Sequence, residues 1–112
     1  MEITKSKIND IVIFSLKGRM DTTTAPQMQD QLLVAIGSGE KRLAIDCAQL
    51  EYISSAGLRA LLMAAKQLKN VNGKIVLYSL KAHIREVFDL AGFSAAFPLF
   101  NSQADALASF KS

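Results

Sequence analysis

Apolar and polar residues alternate through EITKSKI (2–8), and apolar residues dominate IVIFSLK (11–17), with Asn9 and Asp10 between the two runs. Asn and Asp tolerate the left-handed backbone of a two-residue hairpin turn, so an opening β-hairpin is expected. The period then changes. Met28, Leu32, Ala35 and Ile36 recur at helical spacing, with Gly37 and Gly39 as stop signals. Thr24 with Gln27 three residues later reads as a capping box, and Pro26 suits a first helical turn. RLAIDCA (42–48) reads as a short strand. After it, Leu58, Leu61, Leu62, Ala65 and Leu68 form one stripe of a helix whose other faces carry Arg59, Lys66 and Lys69.

KIVLYSL (74–80) is nearly continuous in apolar residues, as in a strand covered on both faces. HIREVFDLAG (83–92) returns to helical spacing at Ile84, Val87, Phe88 and Ala91. In FPLF (97–100) Pro98 cannot donate a ladder hydrogen bond, which places this strand at a sheet edge. Ser102 is positioned to cap a last helix carrying Leu107 and Phe110. The expected fold class is α/β, one domain over residues 1–112. A mixed β-sheet with an N-terminal hairpin, in the order β-β-α-β-α-β-α-β-α, should carry its helices mainly on one face.

A chain of 112 residues is the size of one domain. Half its residues are hydrophobic and 21% are charged, which excludes disordered and collagen-like classes. The thirteen basic and ten acidic residues are dispersed, so neither a nucleic-acid-binding arm nor a polybasic membrane segment is expected. Cys47 is the single cysteine and lies in a strand-like run, where it reads as a buried thiol in a reducing compartment. The first ten residues lack the apolar centre of a signal peptide and no apolar run reaches membrane-spanning length. A cytoplasmic protein without membrane insertion is the expectation.

Candidate chemistry concentrates in YISSAG (52–57), a turn after the carboxyl end of a parallel strand, where such folds present working residues. The turn is not a nucleophile elbow, because no glycine stands two residues before Ser55. His83 is the only histidine and reads as solvent-facing or structural rather than as a general base, so no enzyme is expected. No spaced ligand set suggests a metal, no glycine-rich phosphate loop suggests a nucleotide, and no cofactor is expected. Two readings of the serines stand open. Ser54 or Ser55 caps the following helix, a contribution of roughly 1 kcal/mol. Alternatively, Ser55 accepts a phosphate beside a helix start, whose free N–H groups and dipole favour an anion.

YISSAGLRALL, preceded by LAIDCAQLE and followed by KIVLYSL, resembles the STAS domain, in particular bacterial anti-sigma factor antagonists. The likeness covers nearly the whole chain, including the hairpin and the LKGRMD stretch that ends in Asp21. It implies partner switching. The unphosphorylated antagonist binds an anti-sigma factor that is also a serine kinase, phosphate ends the binding, and a serine phosphatase acts on the phosphorylated form. The resemblance places the acceptor on Ser55, with Ala56, Gly57 and Leu58 completing the motif and Asp21 as the acidic position of the loop after the hairpin. Relatives often carry Asp before the acceptor, whereas this chain has Ser54. The expected contact comprises Asp21, Ser54, Ser55, Ala56, Gly57, Leu58 and Arg59, with Ser55, Gly57, Leu58 and Arg59 as a flat, largely uncharged patch. The alternative implied by the same family is a cytoplasmic subunit of an ABC transporter that binds its ATPase without phosphorylation.

Overall fold

The computed structural model describes residues 1–111. The hairpin forms as its pattern requires: β1 (Glu2–Ile8) and β2 (Ile11–Met20) pair antiparallel, with Ile8 opposite Ile11. Asn9 and Asp10 between them have φ of 49° and 68°, the left-handed pair of a two-residue turn. α1 (Ala25–Gly37), β3 (Arg42–Ile53), α2 (Ser55–Lys69), β4 (Lys74–Tyr78), α3 (Ala82–Leu90), β5 (Leu99–Phe100) and α4 (Gln103–Ala108) follow, with one 3-10 turn at Phe93–Ala95. The five strands lie in the order β1-β2-β3-β4-β5, and every pair after the hairpin is parallel.

Alternation along the strands divides the apolar side chains between two faces. Val12, Phe14, Leu16, Leu43, Ile45, Ile75 and Leu77 join the buried stripes of α1, α2 and α3 in the main core. Ile11, Ile13, Ala44, Val76 and Tyr78 face the other way, against α4 and Phe100. Three helices therefore share one face and the six-residue α4 covers part of the second. So short a helix is marginal alone and depends on its anchors. Ser102 caps it by accepting from Asp105 N–H at 3.2 Å. Gln103 Nε2 donates to the Tyr78 hydroxyl at 3.0 Å, and Lys74 Nζ donates to the Ser109 carbonyl at 3.1 Å.

Two local readings of the sequence differ from the structure. β3 is not short: it runs twelve residues, through Gln49 and Tyr52 to the serine turn. β4 pairs only with Arg42 to Asp46, so the rest of that edge of β3 needs other partners. The start of α3 supplies them. His83 Nε2–H donates to the Glu51 carbonyl at 2.7 Å, and Lys81 pairs with the Glu51 carboxylate. The second difference is the capping box. Thr24 does precede α1, but its side chain makes no cap bond, because Arg19 and Asp21 hold its hydroxyl instead.

The turn geometry makes a stability prediction. Left-handed backbone costs an L-residue other than glycine roughly 1 kcal/mol, partly offset by the greater chain entropy glycine loses on folding. Asp10→Gly is expected to raise stability by about 0.5 kcal/mol, read as a higher urea midpoint with an unchanged slope. A lower midpoint contradicts the assignment of strain to this turn.

Candidate functional site

The serine turn is built where β2 and β3 end together. Met20 lies beside Ile53 in the parallel ladder, and Ser54 N–H donates to the Met20 carbonyl at 2.8 Å. This register depends on irregularities. Ser15 to Met20 on β2 face Asp46 to Ile53 on β3, with shifts between Ser15 and Lys17 and between Gly18 and Arg19. Gly18, at φ 104°, takes a backbone conformation that other residues rarely adopt. The two bulged steps bring Asp21 and Ser54 to neighbouring backbone positions at the carboxyl edge.

Ser54 is the N-cap of α2, with extended backbone (φ −92°, ψ 172°) and a side chain that accepts from Gly57 N–H at 3.3 Å. Ser55 is the first helical residue and is exposed, so the two serines divide the readings that spacing left open. One closes the helix end. The other offers its hydroxyl to solvent beside N–H groups that lack helical partners. No acidic residue stands in the first turn of α2, leaving the positive end of its dipole without a carboxylate of its own.

Gly57 and Leu58 do not form part of an exposed contact, contrary to the expectation of a flat patch containing them. Both are buried, and Leu58 belongs to the main core. A Cβ on Gly57 would stand 2.7 Å from Met20 Sδ and 2.8 Å from Ile53 Cγ1. The glycine therefore serves close helix-to-sheet approach. Of the remaining expected contact residues, Ser55 and Arg59 are exposed, and Asp21, Ser54 and Ala56 are half-buried.

Asp21 folds its own loop. Its Oδ1 accepts from Thr23 N–H at 2.9 Å and Thr24 N–H at 3.0 Å, and its carbonyl accepts from Ala25 N–H at 2.8 Å. Its own N–H donates to Thr24 Oγ1 at 2.9 Å, whose single proton goes to the Arg19 carbonyl at 2.8 Å. The Thr24 N–H, foremost among these groups, holds the Asp21 carboxyl below its ordinary value against the opposing effect of desolvation, helped by the Thr23 N–H and the Arg19 charge. Cys47, by contrast, is fully buried and its thiol is pushed well above the ordinary range, as suits an inert core residue.

Sequence spacing missed two features of this edge. The Arg19 guanidinium lies 4.2 Å from the centre of the Tyr52 ring, a stack that only the β2–β3 register creates. Between α1 and α2 a cavity of about 350 Å³ is lined by Gln29, Arg59, Leu62, Met63 and Lys66. Gln29 gave no sequence signal, since its place depends on how the two helices pack. Among the described residues no three of His, Cys, Asp and Glu are grouped so as to hold a metal ion, and no helix is long and apolar enough to cross a membrane.

Residues 2–106 match the STAS domain. The chain belongs to the STAS domain family. It is 44% identical over 111 residues, 99% of this chain and 96% of the relative, to BtrV of Bordetella bronchiseptica, named as a candidate anti-sigma factor antagonist. Similar solved structures include a candidate anti-sigma factor antagonist of Thermotoga maritima (TM-score 0.94, 14% identity, 98% and 95% of the two chains). Another is the Bacillus cell fate determinant SpoIIAA in its phosphorylated form (TM-score 0.78, 19% identity, 98% and 100% of the chains). At such identities these structures speak to the fold alone.

Two predictions test this geometry. Gly57→Ala gains about 1 kcal/mol in helix propensity but loses more by crowding Ile53, whose branched side chain cannot swing away as Met20 can. A net loss of about 1–2 kcal/mol in urea unfolding is expected; a gain contradicts the close approach. For Asp21, the lowered folded pKa means its charge stabilises the fold above the unfolded value near 4 and loses that effect as pH falls through the folded value. Asp21→Asn is expected to be less stable than wild type at pH 7, with the gap shrinking below about pH 4 in paired thermal melts.

Proposed function

We propose that this STAS protein is an anti-sigma factor antagonist that works by partner switching. Unphosphorylated, it binds an anti-sigma factor with serine kinase activity; phosphorylation at Ser55 ends that binding. The observation that carries the reading is the division of labour in the serine turn. Ser54 is spent on capping, while Ser55 stands exposed at the first position of a helix without an acidic neighbour in its first turn. The 44% identity to a relative named as an antagonist favours this reading over a transporter subunit.

In the proposed reaction the Ser55 Oγ attacks the γ-phosphorus of the kinase's ATP. The Oγ–P bond forms as the bond to the β-phosphate oxygen breaks, ADP leaves, and the hydroxyl proton passes to a base on the kinase. A serine phosphatase reverses the state by hydrolysis, releasing inorganic phosphate. The product carries roughly −1.5 to −2 charges at neutral pH. At the free domain surface that charge faces water and the positive end of α2. Inside a docked interface it loses water, and a penalty of roughly 3 kcal/mol weakens binding more than a hundredfold. The contact surface is the exposed rim: Ser55 and Arg59, the half-buried Asp21, Ser54 and Ala56, and the adjoining cavity between α1 and α2. Gly57 and Leu58 act from beneath by holding the helix start in place.

Incubation with the cognate kinase and ATP, followed by peptide mass spectrometry, is expected to place phosphate on Ser55 and none on Ser54. Ser55→Ala is expected to stay folded and bound to the kinase in the presence of ATP, and Ser55→Asp to bind at least tenfold more weakly with little change in melting temperature. Phosphate on another residue, or equal affinity of the Asp variant and wild type, contradicts the proposal. Co-purification with a transport ATPase without any phosphorylation supports the transporter alternative instead.

A further inference from the structure

We propose that Arg59 clamps the phosphate on Ser55 within the same domain, so that phosphorylation both adds a negative charge and withdraws a guanidinium from the partner's reach. This inference rests on Ser55 as the acceptor. It adds a residue that the serine motif itself does not specify.

Ser55 and Arg59 are four apart in α2 and both are exposed. At that spacing their Cβ atoms lie on one face of the helix, about 5–6 Å apart. Helical side chains lean toward the amino terminus, so a residue covers the turn before its own Cα, which for Arg59 is the turn that begins with Ser55. A phosphate on the Ser55 Oγ extends from the helix start into the reach of the longest cationic side chain. Guanidinium matches phosphate geometry with two parallel N–H donors.

Arg59 is also uncommitted. Among the described residues its side chain makes no salt bridge and no hydrogen bond, whereas Lys7, Lys17 and Lys81 are paired with Glu40, Glu2 and Glu51. The surrounding elements offer no competing carboxylate in the cavity that Arg59 lines. α1 presents the uncharged Gln29 there, and the other charged residue, Lys66, belongs to a later turn of α2. From the end of β2, Arg19 is stacked on Tyr52, and Asp21 has Oδ1 engaged by Thr23 and Thr24. No carboxylate lines the cavity beside Arg59 for the phosphate to displace.

The clamp changes how the switch works. Before phosphorylation Arg59 is free to receive a carboxylate from the docked partner, beside the apolar Leu62 and Met63 of the same cavity. Afterwards the guanidinium is held by the domain's own phosphate. Release of the partner then has two sources: burial of the phosphate and loss of an arginine contact.

The test uses the full chain with phosphoserine genetically encoded at position 55, so that it needs neither the kinase nor the partner. By 31P NMR, the second phosphate ionisation, ordinarily near pH 6, is expected to fall about half a unit lower in wild type than in Arg59→Gln, with Arg59→Lys in between. The gap should shrink in 1 M salt. The Arg59 Nε–H resonance is expected to shift on phosphorylation, while far-UV circular dichroism stays unchanged in every variant. Equal ionisation in wild type and Arg59→Gln, with the Nε–H unmoved, overturns the clamp whatever the kinase assay shows. Kinase labelling of a different residue overturns the acceptor assignment and leaves the encoded-phosphoserine result to stand by itself.

Discussion

The close seating of α2 on the tips of β2 and β3 governs the rest of the carboxyl edge. Gly57 approaches Met20 and Ile53 so nearly that a methyl group has no room there. The same two strands end in register, with the Ser54 N–H on the Met20 carbonyl. Because the backbone is fixed from both sides, Ser54 must close the helix and Ser55 must face outward. An acceptor on a loosely held loop would offer a partner many shapes and cost more entropy to order on binding. Here the hydroxyl sits on a helix whose apolar stripe is buried along much of its length.

That arrangement explains how one edge can be rigid and still switchable. The rigid parts are internal: the Asp21 loop closed by its own hydrogen bonds, the Gly57 contact, and the end of β3 held by His83 and Lys81. The variable part is a single exposed hydroxyl and the charges around it. In the proposed switch, a charge added at the amino end of a helix suits the domain and burdens whatever docks over it, so the proposed phosphate would act on the complex and spare the fold. This division would suit the proposed partner exchange, which asks for no refolding of the domain.

The second face of the sheet shows a different economy. α4 is too short to stand alone, yet its cap at Ser102, the Tyr78 hydroxyl and Lys74 tie it down at both ends. It closes the smaller core far from the serine turn, with Leu107 and Phe110 lying over Ile11, Ile13 and Val76.

Much of this was legible in the chain itself. Period-two and helical spacing set the element order, Asn9 and Asp10 the hairpin, and Pro98 the edge strand, because local backbone preference and one-sided burial act over a few residues. The serine motif marked its turn for the same reason. Other properties belonged to tertiary structure alone. The two bulged steps that align Met20 with Ile53, the Arg19–Tyr52 stack and the close approach of Gly57 to Met20 all depend on register and packing between segments distant in sequence. The Thr24 capping box is lost to a local competition that spacing did not reveal, since Arg19 and Asp21 hold its hydroxyl. Spacing along one segment reports which face is apolar, and only a neighbour's position decides which polar atom finds which partner.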